Sequence, residues 1–68
     1  MPDEAHYEIR IQENLDAKWE AYFTPMIMHC KEDETILTGA VHDQAELFGI
    51  LLKIRDLGLR LVAVNQVE

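Results

Sequence analysis

The sequence predicts an α+β domain whose elements run strand, helix, strand, strand, helix, strand. Three observations carry that expectation. Polar and apolar residues alternate from His6 to Gln12, two apolar runs flank an acidic turn between Met26 and Val41, and a capped apolar stripe recurs at helical spacing from Asp43 to Gly58. Residues 1–68 make one domain, and the first five read as a frayed leader.

In the first strand Tyr7, Ile9 and Ile11 alternate with His6, Glu8, Arg10 and Gln12. Period two marks a strand with one buried face. Asn14-Leu15-Asp16 then supplies helix-starting chemistry, with Asn14 or Asp16 able to cap free backbone N–H groups. Within Ala17–Phe23, Trp19, Tyr22 and Phe23 stand at i, i+3 and i+4, on one side of a short helix. They read as core, since so short a chain has little else to pack. Thr24-Pro25 ends this helix, because the residue before proline is pushed out of helical geometry.

Met26–Lys31 and Thr35–Val41 read as a hairpin around Glu32-Asp33-Glu34. Met26, Met28 and Cys30 form one row of the second strand, and Ile27, His29 and Lys31 the other. In the third, Leu37, Gly39 and Val41 oppose Ile36, Thr38 and Ala40. The main helix opens on a capping box, Asp43 with Glu46 three residues on. Leu47, Ile50, Leu51, Ile54 and Leu57 continue as its apolar stripe, and Gly58 stands where a left-handed residue ends a helix. Gly49 inside it costs about 1 kcal/mol relative to alanine, which close approach to a strand or helix would explain. The last strand, Leu59–Val67, is apolar on both faces: Leu61 and Ala63 on one, Val62 and Val64 on the other. A cover over the second face is therefore expected.

This element order is the split βαβ pattern of ferredoxin-like domains, βαββαβ. Right-handed crossovers put both helices on one face of a four-stranded antiparallel sheet, with the first and third strands central. The expected core is Ile9, Ile11, Leu37, Leu47, Leu51 and Ile54, closed at one end by Trp19 and Phe23. The opposite face stays uncovered. It is expected to carry His6, Glu8, Arg10, His29, Thr38, Val62 and Val64, with Ile27 and Ile36, as an interface or a ligand floor.

Composition narrows the function. Thirteen acids against six bases give a net charge of −7, which disfavours nucleic acid, whose binding rests on neutralising phosphates. Lys53, Arg55 and Arg60 lie close in sequence and read as solvated or helix-end charges. No apolar run reaches bilayer length and no signal peptide is visible, so no membrane partner is expected. A lone cysteine, Cys30, fits a reducing cytoplasm.

No catalytic residue, metal or cofactor is expected either. His6, His29, Cys30 and His42 lack the short paired spacings of structural zinc sites. The chain has no serine, and Cys30 reads as a small hydrophobe inside an apolar strand. Glu8 and Arg10, two apart on one strand face, read as an ion pair. The three glycines have the wrong spacing for a phosphate loop.

A chain this short buries only about 60% of its unfolded surface, so its core is marginal. One cysteine cannot staple it, and a homodimer is the expected remedy. The leading expectation is a small non-enzymatic, self-associating protein-interaction module. Two others stand beside it: a small-molecule-sensing regulatory domain with its ligand near Arg10 and His29, and an accessory subunit of an enzyme or transport complex.

Leu15-Asp16-Ala17-Lys18-Trp19-Glu20-Ala21-Tyr22-Phe23 resembles the pattern Leu-Asp-x-x-Trp-x-x-aromatic-Phe of a group of small bacterial proteins. The block from Asp43 to Gly58 resembles a second, longer pattern of the same group, and the likeness spans Tyr7 to Val67. Two departures stand out: the hairpin turn has no glycine where Asp-Gly is frequent, and Phe48 stands where histidine is frequent. The resemblance implies the same fold boundaries and no reaction. Asp43 to Gly58 is also similar, more loosely, to amino-acid-sensing regulatory domains, which implies a ligand-binding alternative.

Overall fold

The computed structural model describes residues 5–67. In chain order these form β1 (Ala5–Ile11), a 3-10 helix (Ala17–Phe23), β2 (Ile27–Lys31), β3 (Glu34–Val41), α1 (Gln44–Asp56) and β4 (Leu61–Val67). The strands make one antiparallel sheet in the order β2-β3-β1-β4, so β1 and β3 are central and β2 and β4 are edges. The protein is thus α+β, with a four-stranded antiparallel sheet. Ala5 already pairs with Val41, so the strand starts inside the expected leader, whose residues 1–4 lie outside the described residues.

The first helix is 3-10 rather than α. Seven residues between a cap and a proline are too few to repay α-nucleation, whereas short 3-10 runs are common connectors. The Asp16 side chain accepts from the Lys18 N–H at 3.2 Å, and Thr24 leaves helical geometry at ψ 136° before Pro25. Three residues per turn stack Trp19 and Tyr22 on one side and rotate Phe23 inward. Phe23 is accordingly fully buried while Tyr22 is exposed. The Tyr22 ring meets Trp19 and Phe23 edge-on, at 5.7 and 5.3 Å between centroids.

Ile9, Ile11, Leu37 and Val41 line the covered sheet face, against Leu47, Ile50 and Ile54 of α1, Phe23 at the end of the 3-10 helix and Met26 after it. Leu51 and Trp19, expected in the core, pack against it half-buried. Thr35 is the one fully buried polar residue among those described. Its hydroxyl donates to the Glu13 carbonyl at 2.5 Å and accepts from the Leu15 N–H at 2.9 Å. That bolts the link after β1 to β3.

The hairpin loop is two residues, Glu32-Asp33, between paired Lys31 and Glu34. Glu32 takes a left-handed φ of 55°, which costs a non-glycine residue about 1 kcal/mol. Asn14 does not cap the helix; its Nδ2 donates to the Glu32 carbonyl at 2.5 Å and holds that turn.

Helix α1 starts at the expected cap, where Asp43 accepts from the Glu46 N–H at 2.8 Å. It ends in a Schellman motif: Gly58 N–H donates to Arg55 O and Leu59 N–H to Ile54 O, with Gly58 at φ 71°. Gly49 contradicts the expectation of close approach. A Cβ built there meets nothing within 4 Å. Gly49→Ala is therefore expected to stabilise the fold by about 1 kcal/mol, read as a higher urea midpoint with an unchanged slope.

The facing of β4 also differs from expectation. Its ladder with β1 pairs Arg10 with Ala63 and Ile11 with Leu61, so Val62 is skipped as a bulge. Val64 pairs with Ile9 and packs against the core, not on the open face. Ala63, Asn65 and Val67 take that face instead, across from Arg10, Glu8 and His6.

Candidate interaction surface

The ladder registers assemble the uncovered face row by row. Residues directly opposite one another in a sheet share a face. One row runs Ile27, Thr38, Glu8, Asn65, and the next His29, Ile36, Arg10, Ala63. Lys31 with Glu34 flanks them on one side, and Ala40, His6 and Val67 on the other. Of the residues expected here, His6, Glu8, Arg10, His29 and Thr38 come together. Val64 does not, and Val62 sits in the bulge.

Arg10 stands in the middle of this face, between Ile36 and Ala63 of the neighbouring strands. Its Nε is 3.8 Å from a Glu8 carboxylate oxygen and 3.7 Å from one of Glu34, so the expected ion pair forms and a second acid joins it. Pairs this exposed contribute about 0–1 kcal/mol each. The same Nε is shielded from solvent without a hydrogen bond. Beside it Ile36 is only 9% exposed, although it belongs to the open face. Ile27 and Val67, by contrast, stand 54% and 46% exposed at two corners. The charges of this face cancel, two acids (Glu8, Glu34) against two bases (Arg10, Lys31), on a chain of net charge −7.

Two concavities adjoin the sheet. One of about 360 Å³ lies over His6, Tyr7, Glu8, Thr38, Gly39 and Val67. The other, about 720 Å³ and wide open, is lined by Gln12, Glu13, Asn14, Asp33 and Arg60. Backbone groups of the latter are already used, the Gln12 N–H donating to Arg60 O at 2.9 Å.

Chemistry elsewhere is sparse. Cys30 is exposed, not buried as expected, because β2 is an edge strand. Its Sγ lies 3.4 Å from Leu15 O. Among the described residues no three His, Cys, Asp or Glu side chains converge as a metal site, and no helix is long and apolar enough to cross a membrane. Lys53 donates to Tyr22 O at 2.9 Å and sits 5.2 Å from the Tyr22 ring centroid, and Arg55 pairs with Asp56 at 3.1 Å. Phe48 and Leu52 project from α1 opposite its core stripe, 55% and 47% exposed.

Glu46 accepts from the His42 N–H at 2.6 Å and lies 3.1 Å from the His42 Nδ1. The backbone bond first, then the side-chain contact, holds its carboxyl below the usual range. A depressed folded pKa contributes stability above the unfolded value that is lost as pH falls through the folded one. Glu46→Gln is thus expected to lower the melting temperature at neutral pH, with a difference that shrinks as pH falls below the ordinary carboxylate range, as thermal melts across pH would show.

Residues 6–65 match a family described as Domain of unknown function (DUF8691). No curated protein and no solved structure matches the chain.

Proposed function

The chain belongs to that family, and on this premise we propose that it is a small non-enzymatic, self-associating protein-interaction module. The carrying observation is charge. Two copies of net charge −7 repel, but the uncovered side of the sheet, with two acids against two bases and exposed Ile27 and Val67, adds no net charge to that repulsion. The central β1 and β3, with α1 following β3, support reading the fold as ferredoxin-like, its first helix tightened to 3-10. Light-scattering mass after size exclusion, through the micromolar range, is expected to rise to twice 7.9 kDa. A monomer at every concentration sinks the proposal.

A sensing role has one observation of its own, the concavity of about 360 Å³ beside Glu8 and Thr38, within the size range of small-molecule sites. A ligand at a hundred times its dissociation constant adds about 2.7 kcal/mol of stability. A thermal-shift screen of small metabolites would reveal it, and silence across the set counts against it.

A further inference from the structure

The two edges of the sheet are guarded unequally. β2 is short, follows Pro25 and ends in Lys31, and its Met28 N–H is occupied by the Glu20 carboxylate at 3.2 Å. Lysine, proline and side-chain cover are the usual means of blunting an edge. β4 has none of these. Its seven residues, Leu61 to Val67, include no proline, glycine or charge, and Leu61, Val62 and Val67 stand exposed. Among the described residues, nothing bonds to its outer backbone edge. The one protective device is the bulge at Val62, which twists the start of the strand and leaves Ala63–Val67 regular.

We propose that the regular part of β4 pairs antiparallel with β4 of a second copy, fusing two four-stranded sheets into one of eight strands. This rests on the self-association proposed above and names its contact. The occupant is a second copy for two reasons. An uncharged strand offers no handle to a charged foreign partner, and it carries no charge of its own to repel a second acidic chain. Antiparallel self-pairing about a two-fold axis is also complementary without any further adaptation, each N–H meeting a C=O. Centred on Asn65, it sets Ala63 opposite Val67 of the second copy, Val64 opposite Gln66, and Asn65 opposite itself. The paired sheets then place both open faces on the same side of one continuous surface.

Amide hydrogen exchange resolves this residue by residue. In the monomer, alternate β4 amides bond to β1 and the others point outward. On dimerisation the outward amides of Ala63–Val67 are expected to become protected, and on dilution to be released. Asn65→Lys, exposed and across from Glu8 in its own sheet, is expected to weaken the dimer roughly tenfold by placing like charges opposite each other. Mixing it with Asn65→Asp is expected to restore a dimer of one copy of each. A dimer whose outward amides exchange as fast as in dilute solution overturns the edge contact while leaving self-association standing. A monomer throughout overturns both.

Discussion

Thr35→Val is expected to destabilise the protein by about 2–4 kcal/mol, although valine matches threonine in shape and favours strands. The hydroxyl it removes serves two backbone groups from the far end of another segment, accepting from Leu15 and donating to Glu13. Both bonds are part-buried, and each group left there without its partner costs up to about 1–3 kcal/mol. For 68 residues the total stability is on the order of 3–10 kcal/mol, so the loss is a large share of it. Thr35→Ser keeps both bonds and gives up one methyl, and is expected to cost about 1 kcal/mol. Urea unfolding of the two variants separates the bonds from the methyl. Equal losses for valine and serine would show that packing, not the hydroxyl, matters at Thr35.

Phe23→Ala is expected to cost about 3–5 kcal/mol and to leave the chain largely unfolded at physiological temperature. Phe23 is fully buried and ends a helix of only seven residues, which has little stability of its own. Its ring fills the corner between the 3-10 helix and the sheet, in one cluster with Met26 and Leu37. The flattened near-ultraviolet signal of a loosened core, together with a lowered urea midpoint, would mark the loss. Tyr22→Ala next to it is expected to cost far less, since that ring is 38% exposed. A variant of Phe23 as stable as that of Tyr22 would contradict the inward rotation of the 3-10 turn.

Much of this architecture was legible before any coordinates. Alternation placed Ile9 and Ile11 in the core and His6, Glu8 and Arg10 on the other face. Cap and stop residues bounded α1 at Asp43 and Gly58. Of the candidate surface, the outward rows of β1, β2 and β3 were legible, because period two is a local property that survives whatever the strand pairs with. The fourth strand was not. Val62 and Val64 were expected to look outward, and a single skipped residue in the pairing with β1 sent Val64 to the core and brought Ala63, Asn65 and Val67 out.

What the sequence determined by itself was the kind and order of its elements and the inward face of each strand with clean alternation. These follow from the spacing of apolar side chains and from caps, which act within a few residues. Tertiary structure decided the rest. It left Cys30 exposed by putting β2 at an edge, drew Thr35 into bonds with Glu13 and Leu15, left open space beside Gly49, and set the bulge at Val62. An apolar run such as Leu61–Val64 has no polar positions to declare its face. Its register is therefore chosen by the neighbour it pairs with, and only the folded sheet supplies that neighbour.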